Sequence, residues 1–313
     1  MCMETYYWFN QNRLLSHLLI AAAGTFIAAP SQVRNRSPWR LGLPRVQPTW
    51  IIRGFLLIPL ALSWFALSPA ARALLPPPPP DGGYLNFNTA EGDNALFNLT
   101  SGSYNTAIGA SALFANTEGG NNTANGGNAL VRNTTGSSNT ANGAGALFAN
   151  TTADENTAAG ASALERNTTG SSNTANGAFA LQFNRTGNNN MANGVNALRF
   201  NQGSQNTATG AMALQSNLAN NNTANGFQAL FSNTTGQDNT AAGAFALFST
   251  TTGSGNTASG LGALSTNTSG FNNTAVGTRA LQSATTANGN TATGSGALLN
   301  DNTGANNTAN GLN

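Results

Sequence analysis

Asn139–Glu155 reads NTANGAGALFANTTADE, and Asn156–Ser172 follows it directly as NTAAGASALERNTTGSS. The two stretches agree in register at Asn, Thr, Ala, Gly, the Ala-Leu pair and the Asn-Thr-Thr near the end. A repeat of this length is the first thing to settle, because its period fixes the architecture. Extended outward, the motif N-T-A-x-G recurs from Asn88 to the end of the chain, its glycine falling fourteen times between Gly92 and Gly311. Eleven of the thirteen intervals are 17 residues and two are 16. The opening Asn, third-place Ala and fifth-place Gly occur in all fourteen copies; the second-place Thr is replaced once, by Met191, and the Ala-Leu pair appears thirteen times.

Seventeen residues are too few for a helical pair, which needs roughly 33 or more. Gly, Asn and Thr are also poor helix formers. Two short strands and two turns fit the length and make one coil of a solenoid. The reading is therefore all-β: a parallel β-solenoid of about fourteen 16–17-residue coils over 88–313. Asn-Gly pairs such as Asn142-Gly143 mark a turn with positive φ. The second turn falls at N-T-T-G, as in Asn133–Gly136. Strand A is expected over N-T-A-x and strand B over x-A-L-x-x.

Alternation along a strand puts Ala141 inward from strand A and Leu147 inward from strand B, so these residues and their equivalents should fill a thin core. Phe97, Phe114, Phe148, Phe231 and Phe248, which follow the Leu, should add partial cover. Stacked opening residues (Asn105, Asn122, Asn139, Asn156 and Asn173 among them) should form an amide ladder. The fifth-place column carries the structural glycines Gly109, Gly126 and Gly143, and the ninth-place column the leucines Leu113, Leu130 and Leu147. A second ladder is expected in the twelfth place, through Asn116, Asn133, Asn150 and Asn167. One buried Leu contributes about 1.5–3 kcal/mol, while ordering each backbone residue costs about 1–2 kcal/mol. A lone coil cannot fold, and stacking must supply the rest. Thirteen steps at the inter-strand spacing give a rod roughly 60 Å long. The chain ends inside its fourteenth copy, so a further segment or a partner is expected to cap it.

Composition excludes several functions. Of 313 residues only 7% are charged, there is no Lys, and Cys2 and His17 are the only residues of their types. No zinc, iron–sulfur or disulfide framework can be assembled from these, and no cofactor is expected. The isoelectric point of about 9.1 conceals an asymmetry: residues 1–73 hold seven Arg and one Glu, and residues 74–313 five Arg and nine acids. Nucleic acid is disfavoured as a partner, because the repeats lack the cations that displace phosphate counterions.

The four Trp all lie in the first 73 residues. Arg53, the apolar run Phe55–Leu67 and the triplet Ala71-Arg72-Ala73 have the parts of a signal peptide, placed at 46–73 within an N-terminal apolar region, 1–73. The run is shorter than the ~20 residues that span a bilayer, so membrane contact is expected only through this segment before processing. A second apolar stretch, Leu14–Ala29, lies upstream; an over-extended gene start or a membrane-embedded pair of segments would each account for it. Residues 74–87, with Pro76–Pro80, read as a stiff linker.

Asn105–Gly109, NTAIG, and Asn273–Gly277, NTAVG, resemble the head repeat of YadA-like trimeric autotransporter adhesins. The resemblance covers 88–313. It implies a left-handed parallel β-roll, assembled as a homotrimer, exported and displayed on a bacterial outer surface, and binding surfaces, matrix or glycans without catalysis. The sequence departs from that family in the fourth place, which is Ile108 and Val276 but elsewhere mostly Asn, Ala, Thr or Ser, as at Asn125, Asn142, Ala159, Thr209 and Ser259. It also lacks a coiled-coil stalk and an anchor barrel.

Catalytic chemistry has few candidates. After Ala73 there is no His, Cys, Lys or Trp, so a nucleophile would lack its base. Two carboxylate pairs remain, Glu91 with Asp93 on one strand face and Asp154 with Glu155 in a turn; both are expected to be solvated charges. The calcium-binding nonapeptide is absent. Sequons at Asn98, Asn133 and Asn167 arise from Asn/Thr composition. The leading expectation is a surface adhesive fibre. The alternatives are an ice-binding solenoid using Thr/Asn arrays (Thr123/Asn125, Thr140/Asn142, Thr174/Asn176), a tail-fibre-like shaft, and a glycan hydrolase.

Overall fold

The computed structural model describes residues 84–312. The signal-like segment, the stretch Leu14–Ala29 and the proline run lie outside them. Each copy contributes one three-residue strand on its second to fourth places, Thr-Ala-x in thirteen copies and Met191-Ala192-Asn193 in the other. The fourteen strands run from β1 (Thr89–Glu91) and β2 (Thr106–Ile108), through β4 (Thr140–Asn142) and β5 (Thr157–Ala159), to β14 (Thr308–Asn310). They form one parallel sheet in strict chain order. Register is one to one: Thr140 pairs with Thr157, Ala141 with Ala158 and Asn142 with Ala159. Strand A thus stands as expected, with the central Ala inward and its neighbours outward.

Strand B does not. Residues after the fifth-place Gly turn repeatedly instead of extending. Ala146 N–H donates to the Gly143 carbonyl at 3.2 Å, Phe148 N–H to Gly145 at 3.3 Å and Asn150 N–H to Leu147 at 3.1 Å. The turns are left-handed at the seventh and ninth places, where Gly145 has φ 67° and Leu147 φ 52°. All thirteen leucines of the Ala-Leu pairs have φ between 49° and 52°. The consequence for the core is direct. A strand would send Ala146 and Leu147 to opposite faces, whereas the left-handed step buries both completely. Three columns (third-place Ala, eighth-place Ala, ninth-place Leu) fill one continuous core. The segment still joins its neighbours: Gly145 N–H donates back to Gly127, and Leu147 N–H forward to Ala163, each at 3.0 Å.

The fifth-place Gly closes the strand. Gly143 has φ 144°, a region open only to glycine. A Cβ there would also lie 2.5 Å from the Gly160 oxygen of the next coil. The two 16-residue copies lose a residue after their twelfth-place Asn. The Asn201 amide consequently reaches the carbonyl two residues on, at Gly203, where other coils reach three residues on. The shortening stays in the turn, so both ladders keep their register. Residues 84–87, assigned to the linker from sequence, fold onto the first coil. Tyr84 N–H donates to Asn88 O at 2.7 Å, and the Phe87 ring stacks on Tyr104 at 5.0 Å.

Candidate functional site: ladders inside, two repetitive faces outside

The opening asparagines form the ladder read from the sequence, including Asn105, Asn122, Asn139, Asn156 and Asn173, all fully buried. Asn139 shows the pattern. Its Nδ2 donates to Asn122 Oδ1 at 3.2 Å and to the Ala153 carbonyl at 2.8 Å. Its Oδ1 accepts the Asn156 backbone N–H at 3.0 Å and Asn156 Nδ2 at 3.3 Å. Both donors and the acceptor are satisfied, which is what burial of an amide demands. The link from backbone N–H to the preceding Oδ1 runs unbroken from Asn88 to Asn307.

The twelfth-place ladder is also present, continuous from Asn116 to Asn233. It then breaks, because Thr250 and Ala284 stand in the column. The breaks leave Asn233 Oδ1, Thr250 Oγ1 and Asn267 Oδ1 buried without a partner. Asn133 and Asn167, which read as sequons, are buried members of this ladder; Asn98 is exposed.

Two further ladders escaped the sequence reading. Thirteenth-place threonines donate Oγ1 to the carbonyl one coil on, as from Thr134 to Thr151 at 3.0 Å. Sixteenth-place side chains accept the backbone N–H of the coil before: Asp154 Oδ1 takes Ser137 N–H at 2.7 Å, and Asn188 Oδ1 takes Ser171 N–H at 2.7 Å. The signal was the recurrence of Ser, Asp and Asn in that place. This geometry accounts for one carboxylate pair, since Asp154 faces the coil before it while Glu155 Oε2 accepts from Ser172 Oγ in the coil after it at 3.0 Å. The other pair is divided: Glu91 ends β1, and Asp93 lies past Gly92, outside the strand. The expectation of a shared strand face fails, because the turn at Gly92 redirects the chain.

Two exposed faces remain. The strand face carries the second- and fourth-place side chains in register, thirteen threonines and Met191 beside a mixed column of Asn, Ala, Thr, Ser, Ile, Val and Glu. The turn face carries the sixth, seventh, tenth and eleventh places. It holds the half-buried phenylalanines, stacked between coils as Phe97 on Phe114 at 5.5 Å and Phe231 on Phe248 at 5.3 Å. It also holds a polar run in which Gln182 Nε2 donates to Glu165 at 2.7 Å and Arg199 Nε to Gln182 at 2.9 Å. Among the described residues, no group of three or more His, Cys, Asp or Glu could hold a metal ion. No protein-family model, curated protein or solved structure matches the chain.

Proposed function

We propose that this chain is a non-catalytic adhesive rod, exported and displayed on a bacterial surface, that holds extended ligands by many weak contacts. One observation carries the reading: in-register stacking lines up the exposed side chains of successive coils in columns, with Thr repeated in thirteen of the fourteen second places. A ligand with its own repeat meets the same hydroxyl or amide many times, and avidity follows without any strong single site. The signal-like segment and the resemblance to adhesin heads support export and display, and the same resemblance supports assembly as a homotrimer. Beads coated with the full chain should adhere to glycan- or matrix-coated surfaces. Adhesion no greater than that of uncoated beads, or turnover of a polysaccharide by the chain, would overturn the proposal.

A second reading is favoured by the strand face itself. Thirteen threonines, interrupted once by Met191, stand in one parallel, in-register column and present a repeated row of hydroxyl and methyl groups, a spacing suited to ordering water into a lattice. In that case the full chain at micromolar concentration shapes growing ice crystals, and Thr140→Lys with Thr157→Lys abolishes the shaping. Unfaceted growth in the presence of the unaltered chain would remove this reading.

A further inference from the structure

We infer that the turn face of the middle coils is a binding strip for an acidic linear polysaccharide, a ligand assignment that rests on the adhesive reading. Charge is the first observation. All five arginines of the described residues (Arg132, Arg166, Arg185, Arg199, Arg279) fall between the seventh and thirteenth places. Three acids share the span from the sixth to the thirteenth place, and one of these, Glu165, is paired with Arg166 at 3.3 Å. The remainder of the coils carries five acids and no arginine. A mildly acidic rod therefore presents one positive side, and that side selects an anion.

Aromatic exposure is the second observation, and it coincides with the charge. Phe179, Phe200, Phe227 and Phe245 are 38%, 41%, 45% and 38% exposed. The Arg199 guanidinium lies 5.4 Å from the Phe179 ring centre and 5.1 Å from that of Phe200. Phe227 and Phe245 meet edge to face at 87°, so the ring offering its edge keeps both faces clear of its partner. The negative face of such a ring packs against the weakly positive C–H face of a sugar.

Shape is the third observation. Beyond Phe245 a shallow groove of about 300 Å³ is lined by Leu261, Ser265, Arg279 and Gln282. Rings, guanidinium groups and side-chain amides thus follow one another along the rod axis. That sequence suits a carbohydrate polymer, with C–H faces for the rings, carboxylates or sulfates for the arginines and hydroxyls for the amides. The arginines are too few for a nucleic acid, whose binding scales with the phosphates neutralised.

The test is retention of the full chain in native gels containing polygalacturonate, dextran, duplex DNA or no polymer, repeated at rising salt. Polygalacturonate alone should retard the chain, and salt should reverse the retardation. R132Q/R199Q/R279Q should weaken binding by about tenfold, the sum of three charge contacts at the rod surface. F227S/F245S should weaken it too while leaving its salt dependence in place. Circular dichroism on each variant separates lost binding from lost fold, and the arginine set tests the strip if the phenylalanine set unfolds. Equal retardation by dextran, no retardation, undiminished binding by folded variants, or tighter binding to duplex DNA would each overturn the assignment. So would a folded strip variant whose mass in solution falls to that of a monomer, which would make the strip a contact between copies. Adhesion to matrix proteins that survives in the strip variants would leave the adhesive reading standing and sink this inference alone.

Discussion

Leu147 and its twelve equivalents sit in a backbone conformation that an L-residue adopts at a cost of about 1–2 kcal/mol, with φ near 50° in every coil. Burial of the side chain offsets that cost. A branched Cβ would add to it, because β-branched residues are outliers at positive φ. The sequence obeys this rule throughout: no Val, Ile or Thr occupies the seventh, ninth or seventeenth place of any complete copy, and all of these places have positive φ. Leu147→Val should therefore destabilise the rod by more than the lost volume explains. Leu147→Met, which keeps an unbranched Cβ, should cost less than about 1.5 kcal/mol. Urea midpoints of the two variants check the contrast. Gly143→Ala should be worse than either, since it meets both a forbidden φ and the backbone of the next coil; loss of cooperative unfolding is the expected readout.

Within one coil, strand A was legible because Thr-Ala-x alternates, its small central residue pointing inward. Strand B was misread because Ala-Leu in a turn-rich repeat was fitted to the same alternation. The missing signal was the uniform choice of Leu where a strand would have admitted Val or Ile. Both asparagine ladders could be read from sequence, since a polar residue recurring at a fixed place in a coil must find its partner in the next. The ladder at the sixteenth place was obscured by mixed chemistry, Ser, Asp and Asn all serving as acceptors. The defects in the twelfth-place ladder make a prediction at this scale. Thr250→Asn restores the link between Asn233 and Asn267 and should stabilise the rod by about 1–3 kcal/mol, the usual cost of buried polar groups left unpaired. Asn139→Ala leaves the buried Asn156 N–H without its acceptor, while Asn122 Oδ1 keeps the backbone N–H of residue 139, and should cost about 1–3 kcal/mol. Thermal melts of both variants, read by circular dichroism, should move in opposite directions.

Along the whole rod, fourteen coils share a core only three columns wide, so stability rests on stacking as much as on apolar burial. The exposed faces were legible as periodic patterns, but the placing of four of the five arginines (Arg132, Arg166, Arg199 and Arg279) on the turn face depended on the true path of the chain after Gly143 and its equivalents. Homotrimeric assembly predicts three times the chain mass by light scattering, and a monomer would count against it. The most direct test of the architecture itself is residue-resolved hydrogen exchange on the full chain. The amides of Asn122, Asn139, Asn156 and Asn173 have no strand partner and are held by the side-chain oxygen of the preceding coil. They should be protected as strongly as Thr140 and Thr157, whose amides donate to the next coil's backbone. Exchange of the asparagine amides at the rate of exposed turn residues such as Thr152 would contradict the buried ladder on which the stacking depends.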